Sequence, residues 1–486
     1  MLNIIKESKS KSFYKFPVVT AMKTRHKAAS PSVEDLITDS TDNEESQPVS
    51  IPDEPQVETS ATSQKRTVQD GRALMQGSTS NMSSIMNFLK GNIGTGLLAL
   101  PSAFKHSGLW VGFAGILFLG CIATHCMHIL VNCSHKLCER TSSVTMDYPD
   151  VMESCLQTGP PALRRFSRAF RIAINIFILI TQFGFCCVYV VFVAENISDV
   201  VDVFPVAHWD NISYMWLISI FLIPYCFIRN LKTLAVFSLL ANIITIIGLV
   251  IIYQYIVQHL LPMSQVQLYT SFSQLPMFFG IAVYSFEGIS LVLPIENKMR
   301  NPQDFPGWTG ILNLGMTIVV CLYASLGFYG YLSFADSIEG SITLNLPSNW
   351  WYTSVKLLFA VSIFISYGIQ FYVPMNLLSS PIRERFGSTK YSQIIDHALR
   401  VILICALTGF ASCIPHLDLL IALIGAFASS GLALIFPPII EMITYSAEGE
   451  QLTKLTIAKN IFILFIGVTG FVTGTYTSVK EIINVF

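Results

Sequence analysis

The residues best suited to chemistry lie inside two hydrophobic stretches of the sequence. The first stretch combines three glycines, a charge and an amide within one apolar run, Lys90-Gly91-Asn92-Ile93-Gly94-Thr95-Gly96. Each glycine weakens an α-helix by about 1 kcal/mol relative to alanine, so the run predicts a break in a helix. A break frees backbone N–H groups at the start of the following half-helix, and these donors and the helix dipole suit a carboxylate.

The second stretch, residues 280–290, carries a carboxyl group, Glu287, between Phe286 and Gly288. An ionisable group in the middle of an apolar run is costly and is a functional candidate by default. Two interpretations are open. Burial would favour the protonated acid and make Glu287 a proton carrier. A fixed bond to Lys90 or to the backbone would instead hold the chain at the break, with Lys90 as a second proton-coupling candidate.

Together the two stretches predict a site with donors on one side and acceptors on the other, which fits a zwitterion. The first stretch would bind the carboxylate through Asn92, Ile93, Gly94, Thr95 and Gly96, and the second would complete the pocket with Tyr284, Ser285 and Phe286. The alternative is that the glycines only allow helices to approach closely.

Composition decides which elements hold these residues. The chain has 486 residues, of which 52% are hydrophobic and 13% charged. Residues 1–80 contain 21 of the 61 charged residues, which leaves 40 for the other 406. A soluble domain carries about 25% charge, so the bulk of the chain is not a soluble enzyme. The net charge of −1 excludes a nucleic-acid binder, and no phosphate-binding loop or nucleophile elbow is visible.

Apolar runs of about 20 residues predict membrane-spanning helices. The sixth run contains Glu287 and the first contains Lys90, so the broken runs are five apart. That offset favours an all-α polytopic membrane protein built as a 5+5 inverted repeat, with discontinuous helices 1 and 6 and one extra C-terminal helix. The eleven predicted spans are residues 82–105, 109–132, 169–195, 212–228, 233–257, 273–296, 308–334, 351–379, 393–412, 415–440 and 457–483.

The distribution of Lys and Arg predicts the orientation. With a cytosolic N terminus, sixteen of the twenty basic residues beyond residue 80 fall on the inner side and three on the outer side. The C terminus is then extracellular or luminal, in the plasma membrane or an endolysosomal membrane. Residues 1–80 are predicted to be a disordered cytosolic tail, and residues 81–486 the membrane domain. Sequons at Asn196 and Asn211 fall on a predicted outer loop and are glycosylation candidates.

At these residues the chain resembles the proton-coupled amino acid transporters of the amino acid/auxin permease family. The likeness covers most of residues 82–483. It is carried by residues 89–101, which begin Leu-Lys-Gly-Asn-Ile-Gly-Thr-Gly, by residues 125–131 and 181–189, by Phe286-Glu287-Gly288 with residues 293–297, and by residues 342–347. The resemblance implies the broken-helix transporter fold and a symporter that moves small neutral amino acids with a proton by alternating access.

The resemblance also shows a departure at Asn87, where family members with strong proton coupling carry a His. Asn cannot titrate, so coupling would fall to another group such as Glu287. We expect no cofactor and no bound metal, with the proton as coupling ion and sodium as the less favoured one. Alternatives are an amino acid sensor with little net flux and a sodium-coupled or uncoupled carrier. Expected partners are small neutral amino acids, membrane lipid and trafficking or signalling proteins that contact the tail.

Overall fold

The computed structural model describes residues 79–203, 209–228, 231–387, 389–414, 416–446 and 453–485. The predicted tail lies outside these residues except for its last two positions. Apart from one isolated bridge between Thr79 and Met299, the described residues form no strand. The predicted all-α fold class is confirmed.

Sixteen α-helices lie in the described part of the chain, and we number them in order. They are α1 (Asn81–Asn92), α2 (Thr95–Ser107), α3 (Leu109–Thr141), α4 (Tyr148–Thr158), α5 (Pro161–Arg164), α6 (Ser167–Val201), α7 (Asn211–Tyr225), α8 (Leu231–Gln258), α9 (Leu275–Ser285), α10 (Ile289–Glu296), α11 (Ile311–Phe334), α12 (Trp350–Phe386), α13 (Lys390–Ser412), α14 (Leu417–Ile424), α15 (Phe436–Ser446) and α16 (Lys454–Val485).

Within the described ranges, nine helical segments are long and apolar enough to cross a membrane. The two other predicted spans do not form a single long helix in the structure. Residues 82–105 are split between α1 and α2, and residues 212–228 correspond to α7, an apolar helix of 15 residues. The chain is therefore a multi-pass membrane protein, while the number eleven and the inverted repeat stay predictions.

The outer loop predicted between the third and fourth spans is shorter than expected. Helix α6 continues to Val201, so Asn196 lies inside it with 0% of its surface exposed. Its Nδ2 donates a 2.8 Å hydrogen bond to the Phe192 carbonyl, one turn earlier. The expectation that Asn196 lies on a loop is wrong, because the helix continues past the sequon and the Asn196 amide bonds within it, and a buried amide is a poor glycosylation site. Asn211 is exposed at the start of α7 and keeps its predicted role.

The two broken spans lie against each other and against the tenth span. Helix α9 packs on α2 and on α14. Gly280 and Gly425 bring the backbones of the sixth and tenth spans into contact, since a Cβ on Gly425 would overlap the Gly280 carbonyl. Between α14 and α15 the tenth span forms two π-helical turns, Gly425–Ser429 and Gly431–Ile435. Such turns are rare and often occur at functional sites.

Candidate functional site

The first break is two residues long and leaves a helix N-terminus without a side-chain cap. Helix α1 ends at Asn92, Ile93 is extended, and α2 starts at Thr95. Gly94 holds the N-cap position with extended backbone (φ −149°, ψ −151°) and no side chain accepts from the first turn. The N–H groups of that turn have no partner within the helix. They are therefore available to an anion, as the sequence predicts.

The second break interrupts the sixth span between α9 and α10. It comprises Phe286, Glu287 and Gly288, and it is bridged by a 2.7 Å hydrogen bond from the Gly288 N–H to the Phe286 carbonyl. No side chain caps the N-terminus of α10 either. Both predicted discontinuities are present, and the first is narrower than the stretch of glycines that predicts it.

Three side-chain contacts hold the two breaks together. The Thr95 and Tyr284 hydroxyls are 3.0 Å apart, and the Ser285 hydroxyl donates a 3.0 Å hydrogen bond to the Gly96 carbonyl. From α11, the Tyr323 hydroxyl is directed at the Asn92 carbonyl and, at 2.6 Å, at the Ser285 carbonyl. One phenolic proton is shared between these two carbonyls. The structure thus brings most of the predicted binding residues into one buried cluster.

The glycines of the first break have two different roles. A Cβ on Gly96 would lie 2.7 Å from the Ser285 Cα, so Gly96 allows a backbone contact between α2 and α9. A Cβ on Gly94 would meet only the Tyr189 hydroxyl, at 3.5 Å. Close packing therefore explains Gly96 but not Gly94, where a Cβ would make one ordinary contact beside the N–H groups that start α2.

Aromatic residues enclose this region. The Tyr284 ring lies 4.7 Å from Phe185, and the Phe286 ring lies 5.0 Å from Tyr323, in both cases between centroids. Phe286 and Tyr284 are 1% and 2% exposed. Such dense packing leaves little room beside the break for a large side chain.

Asn92 supplies a buried acceptor at the same place. Its Nδ2 donates a 2.9 Å hydrogen bond to the Phe88 carbonyl, while its Oδ1 has no partner among the described residues. A Cβ on Gly288 would overlap the Asn92 amide, so this acceptor lies directly against the second break. A buried polar atom without a partner is costly, and a ligand ammonium would satisfy it.

Glu287 is 3% exposed, and neither of its carboxylate oxygens has a hydrogen-bond partner in the described part of the chain. The bond to Lys90 that one interpretation requires is not formed. Ser429, in the first π-helical turn, is its polar neighbour, but the Ser429 hydroxyl makes no hydrogen bond of normal geometry either. An ionised carboxylate in this position would be unfavourable, which favours the neutral acid.

The other two predicted residues of α1 lie away from the cluster. Lys90 is partly buried in the last turn of α1, where the negative end of the helix dipole stabilises a cation. Asn87 is exposed. A titratable residue at position 87 would therefore face outward from α1 rather than toward Glu287.

Sequence reasoning missed three residues of the cluster. Tyr189 on α6 faces Gly94, Tyr323 bridges the breaks and Ser429 faces Glu287. Tyr189 belongs to one of the motifs, residues 181–189, but carried no separate signal. Tyr323 and Ser429 lie in spans seven and ten, where an isolated hydroxyl in an apolar run has no distinguishing spacing.

Paired broken helices that meet in the interior of a multi-pass helical protein define the class of membrane transporters with discontinuous helices. Residues 77–480 match the family described as "Transmembrane amino acid transporter protein". The chain belongs to this family, so it is an amino acid transporter and not an enzyme.

Two relatives match over most of their length. The chain is 35% identical to the "Proton-coupled amino acid transporter-like protein pathetic" of Drosophila melanogaster over 414 residues, 84% of this chain and 86% of that protein. It is 29% identical to the "Probable amino acid transporter skat-1" of Caenorhabditis elegans over 436 residues, 86% of this chain and 94% of that one.

Proposed function

We propose that the protein moves small neutral amino acids across the membrane together with a proton, by alternating access around the two breaks. The carboxylate of the substrate binds the N–H groups of Gly94, Thr95 and Gly96, and its ammonium binds the Asn92 Oδ1 and neighbouring carbonyls. Tyr284, Ser285 and Phe286 close the site. The supporting observation is the uncapped start of α2, where a Cβ on Gly94 would meet only the Tyr189 hydroxyl, two residues after the buried Asn92 Oδ1, which has no partner among the described residues.

The small size of the substrate follows from the packing around the site. The rings of Phe185 and Tyr284 stand close together, and Tyr189 faces Gly94. A substrate side chain larger than a few atoms would displace these rings from well-packed positions, at a cost of about 1–3 kcal/mol.

Proton coupling is inferred from Glu287 and from the name of the Drosophila relative, a proton-coupled amino acid transporter-like protein. The carboxyl is buried without a partner in the conformation described, where the neutral acid is the more stable form. When the bundle moves and water reaches Glu287, the ionised form becomes stable and the proton leaves. This cycle needs no cofactor and no metal ion. Glu287 would carry the proton in place of the histidine that family members with strong coupling have at the position of Asn87.

Flux through purified protein in liposomes tests the proposal. We expect a pH gradient that is acidic outside the liposomes to drive concentrative uptake of alanine. A sodium gradient should have no effect. Uptake driven only by sodium would support the sodium-coupled alternative. Binding of alanine without flux under either gradient would favour the sensor.

The variant Glu287→Gln separates coupling from transport. It keeps the shape of the side chain but cannot titrate, so uptake should continue down an alanine gradient and lose its dependence on pH. The matched control is Glu139→Gln. Glu139 is an exposed residue near the C-terminal end of α3, so this variant should keep the pH dependence. A pH dependence that survives in Glu287→Gln would exclude Glu287 as the proton carrier.

We also propose a cytosolic N terminus and an extracellular or luminal C terminus, in the plasma membrane or an endolysosomal membrane. Asn211 is then on the outer side, where it is a glycosylation site. A shift in mobility after glycosidase treatment that is lost in Asn211→Gln tests both statements. Lipid surrounds the exposed apolar faces, and the tail is the segment for trafficking or signalling partners.

A further inference from the structure

A cavity of about 390 Å³ lies beyond the end of α2 that is remote from the break. Four elements enclose it: the second half of α2, the end of α6, the segment between α11 and α12, and the start of α14. Its volume is within the range of small-molecule sites. The ionisable and hydroxyl groups that matter below are Ser102, Lys105, His106, Glu195, Glu339 and Asp418.

Charges of opposite sign stand on opposing walls of this cavity. Ser102, Lys105 and His106 are spaced i, i+3 and i+4 on α2, so they share one helix face, and Lys105 carries its positive charge. The His106 Nδ1 donates a 3.0 Å hydrogen bond to the Gln274 Oε1. Lys105 Nζ donates a 3.3 Å hydrogen bond to the Ile338 carbonyl, which leaves further N–H donors on the same ammonium. The other walls carry the carboxyl groups of Glu195, Glu339 and Asp418.

One of these carboxylates lacks a donor. The Oε2 atom of Glu195 is buried and has no hydrogen-bond partner among the described residues, although Glu195 lines the cavity. A buried acceptor that is left unsatisfied is costly, and more so when it is charged. A ligand ammonium supplies the missing donor in a charge-assisted hydrogen bond.

The cavity is placed in line with the break. Thr95 and Ser102 are seven residues apart on α2, which is two turns and roughly 10 Å along one face of the helix. On α6, Tyr189 faces Gly94, and Glu195 follows six residues later. Both helices therefore lead from the break to the cavity, and a substrate moving along α2 would pass from one to the other.

We propose that this cavity is a second binding site for the amino acid zwitterion, before the break on the path of the substrate. Glu195 and Asp418 bind the ammonium, and Lys105 binds the carboxylate. The inference rests on the proposed function, because it takes the same substrate and places a waiting site on its path. The cavity recognises only the ammonium and the carboxylate of the amino acid, so it does not distinguish substrates by their side chains. Selection for small side chains occurs at the break.

Equilibrium binding of tritiated alanine to the purified full-length protein tests the proposal. We expect two alanines per chain. Glu195→Gln should weaken one of them at least tenfold, and Gly94→Val, which occupies the space beside the N–H groups of the break, should remove the other. The control Asp210→Asn, an exposed carboxylate outside the cavity, should leave both. A stoichiometry of one alanine per chain in the unmodified protein would overturn the second site. So would two alanines that bind to Glu195→Gln with unchanged affinity.

Alanine methyl ester tests the assignment of a zwitterion. It keeps the ammonium but has no carboxylate charge, so it should compete at least tenfold more weakly than alanine in Gly94→Val, where only the cavity binds. Lys105→Gln should reduce that preference. Equal competition by the ester and by alanine would show a cation site and overturn the assignment.

The liposome experiment separates the two levels of this proposal. Transport with a single bound alanine would remove the second site and leave the proposed function standing. Two bound alanines that respond to Glu195→Gln, without flux under any gradient, would keep the second site and remove coupled transport.

Discussion

The two breaks differ in what they leave unsatisfied. The first break, at Ile93 and Gly94, exposes backbone donors, and its neighbouring space is empty apart from the Tyr189 hydroxyl. The second break is filled by Phe286 and carries Glu287, whose carboxyl has no hydrogen-bond partner in the described ranges. The first break thus suits a ligand and the second a proton. Substrate and coupling ion would therefore use adjacent sites. Ser285 and Tyr323 link the two breaks, but the atoms that bind the substrate differ from those that carry the proton.

The largest effect is expected where the breaks touch through the backbone. Gly96→Ala places a Cβ 2.7 Å from the Ser285 Cα, a contact that only a shift of α2 against α9 can relieve. We expect a loss of stability of about 1–3 kcal/mol from overpacking and at least a tenfold fall in alanine uptake. Thermal unfolding and liposome uptake measure the two effects.

Gly409→Ala is the matched control for that substitution. Gly409 lies within α13 and a Cβ there would meet nothing within 4 Å. Uptake and unfolding temperature should stay unchanged or rise slightly, because alanine is the better helix former. Normal uptake by Gly96→Ala would mean that α2 and α9 separate freely.

Gly94→Ala sharpens the contrast between the two glycines. The added methyl group has space in the protein, so folding should be preserved. It would stand where the substrate carboxylate approaches the N–H groups, and the KM for alanine should rise about tenfold while the unfolding temperature stays constant. An unchanged KM would place the carboxylate elsewhere.

Tyr323→Phe removes the hydroxyl that links the breaks. The carbonyls of Asn92 and Ser285 lose their shared donor, at a cost of about 1–3 kcal/mol for a buried acceptor. We expect a several-fold lower uptake with the pH dependence retained. Loss of the pH dependence would show that Tyr323 takes part in proton transfer rather than in positioning.

The smallest expected effect concerns the hydroxyl pair across the breaks. A double-mutant cycle with Thr95→Val and Tyr284→Phe measures the 3.0 Å hydrogen bond between their side chains. Its coupling energy for unfolding should be about 1 kcal/mol. Additive effects of the two substitutions would mean that the pair contributes nothing to joining the breaks.

Both breaks were predictable because glycines, an amide and a carboxyl are unusual in apolar runs. Their partners were not, since Tyr323, Tyr189 and Ser429 are ordinary residues of their own helices until folding brings them to the breaks. The prediction of a loop around Asn196 was wrong for a related reason, namely that a local pattern does not show which bonds form after folding. A polar sequon signals a loop locally, but α6 continues through it because the Asn196 amide bonds within the helix.

The sequence by itself determined the class of the molecule, the two broken runs and the residue types at each break, because a membrane penalises every polar group that has no function or partner. Tertiary structure alone decided that Gly96 serves packing while Gly94 meets only the Tyr189 hydroxyl, and that the Glu287 carboxyl bonds neither Lys90 nor any other residue that the structure describes. Those outcomes depend on distances between helices far apart in the chain, which no local pattern of residues encodes.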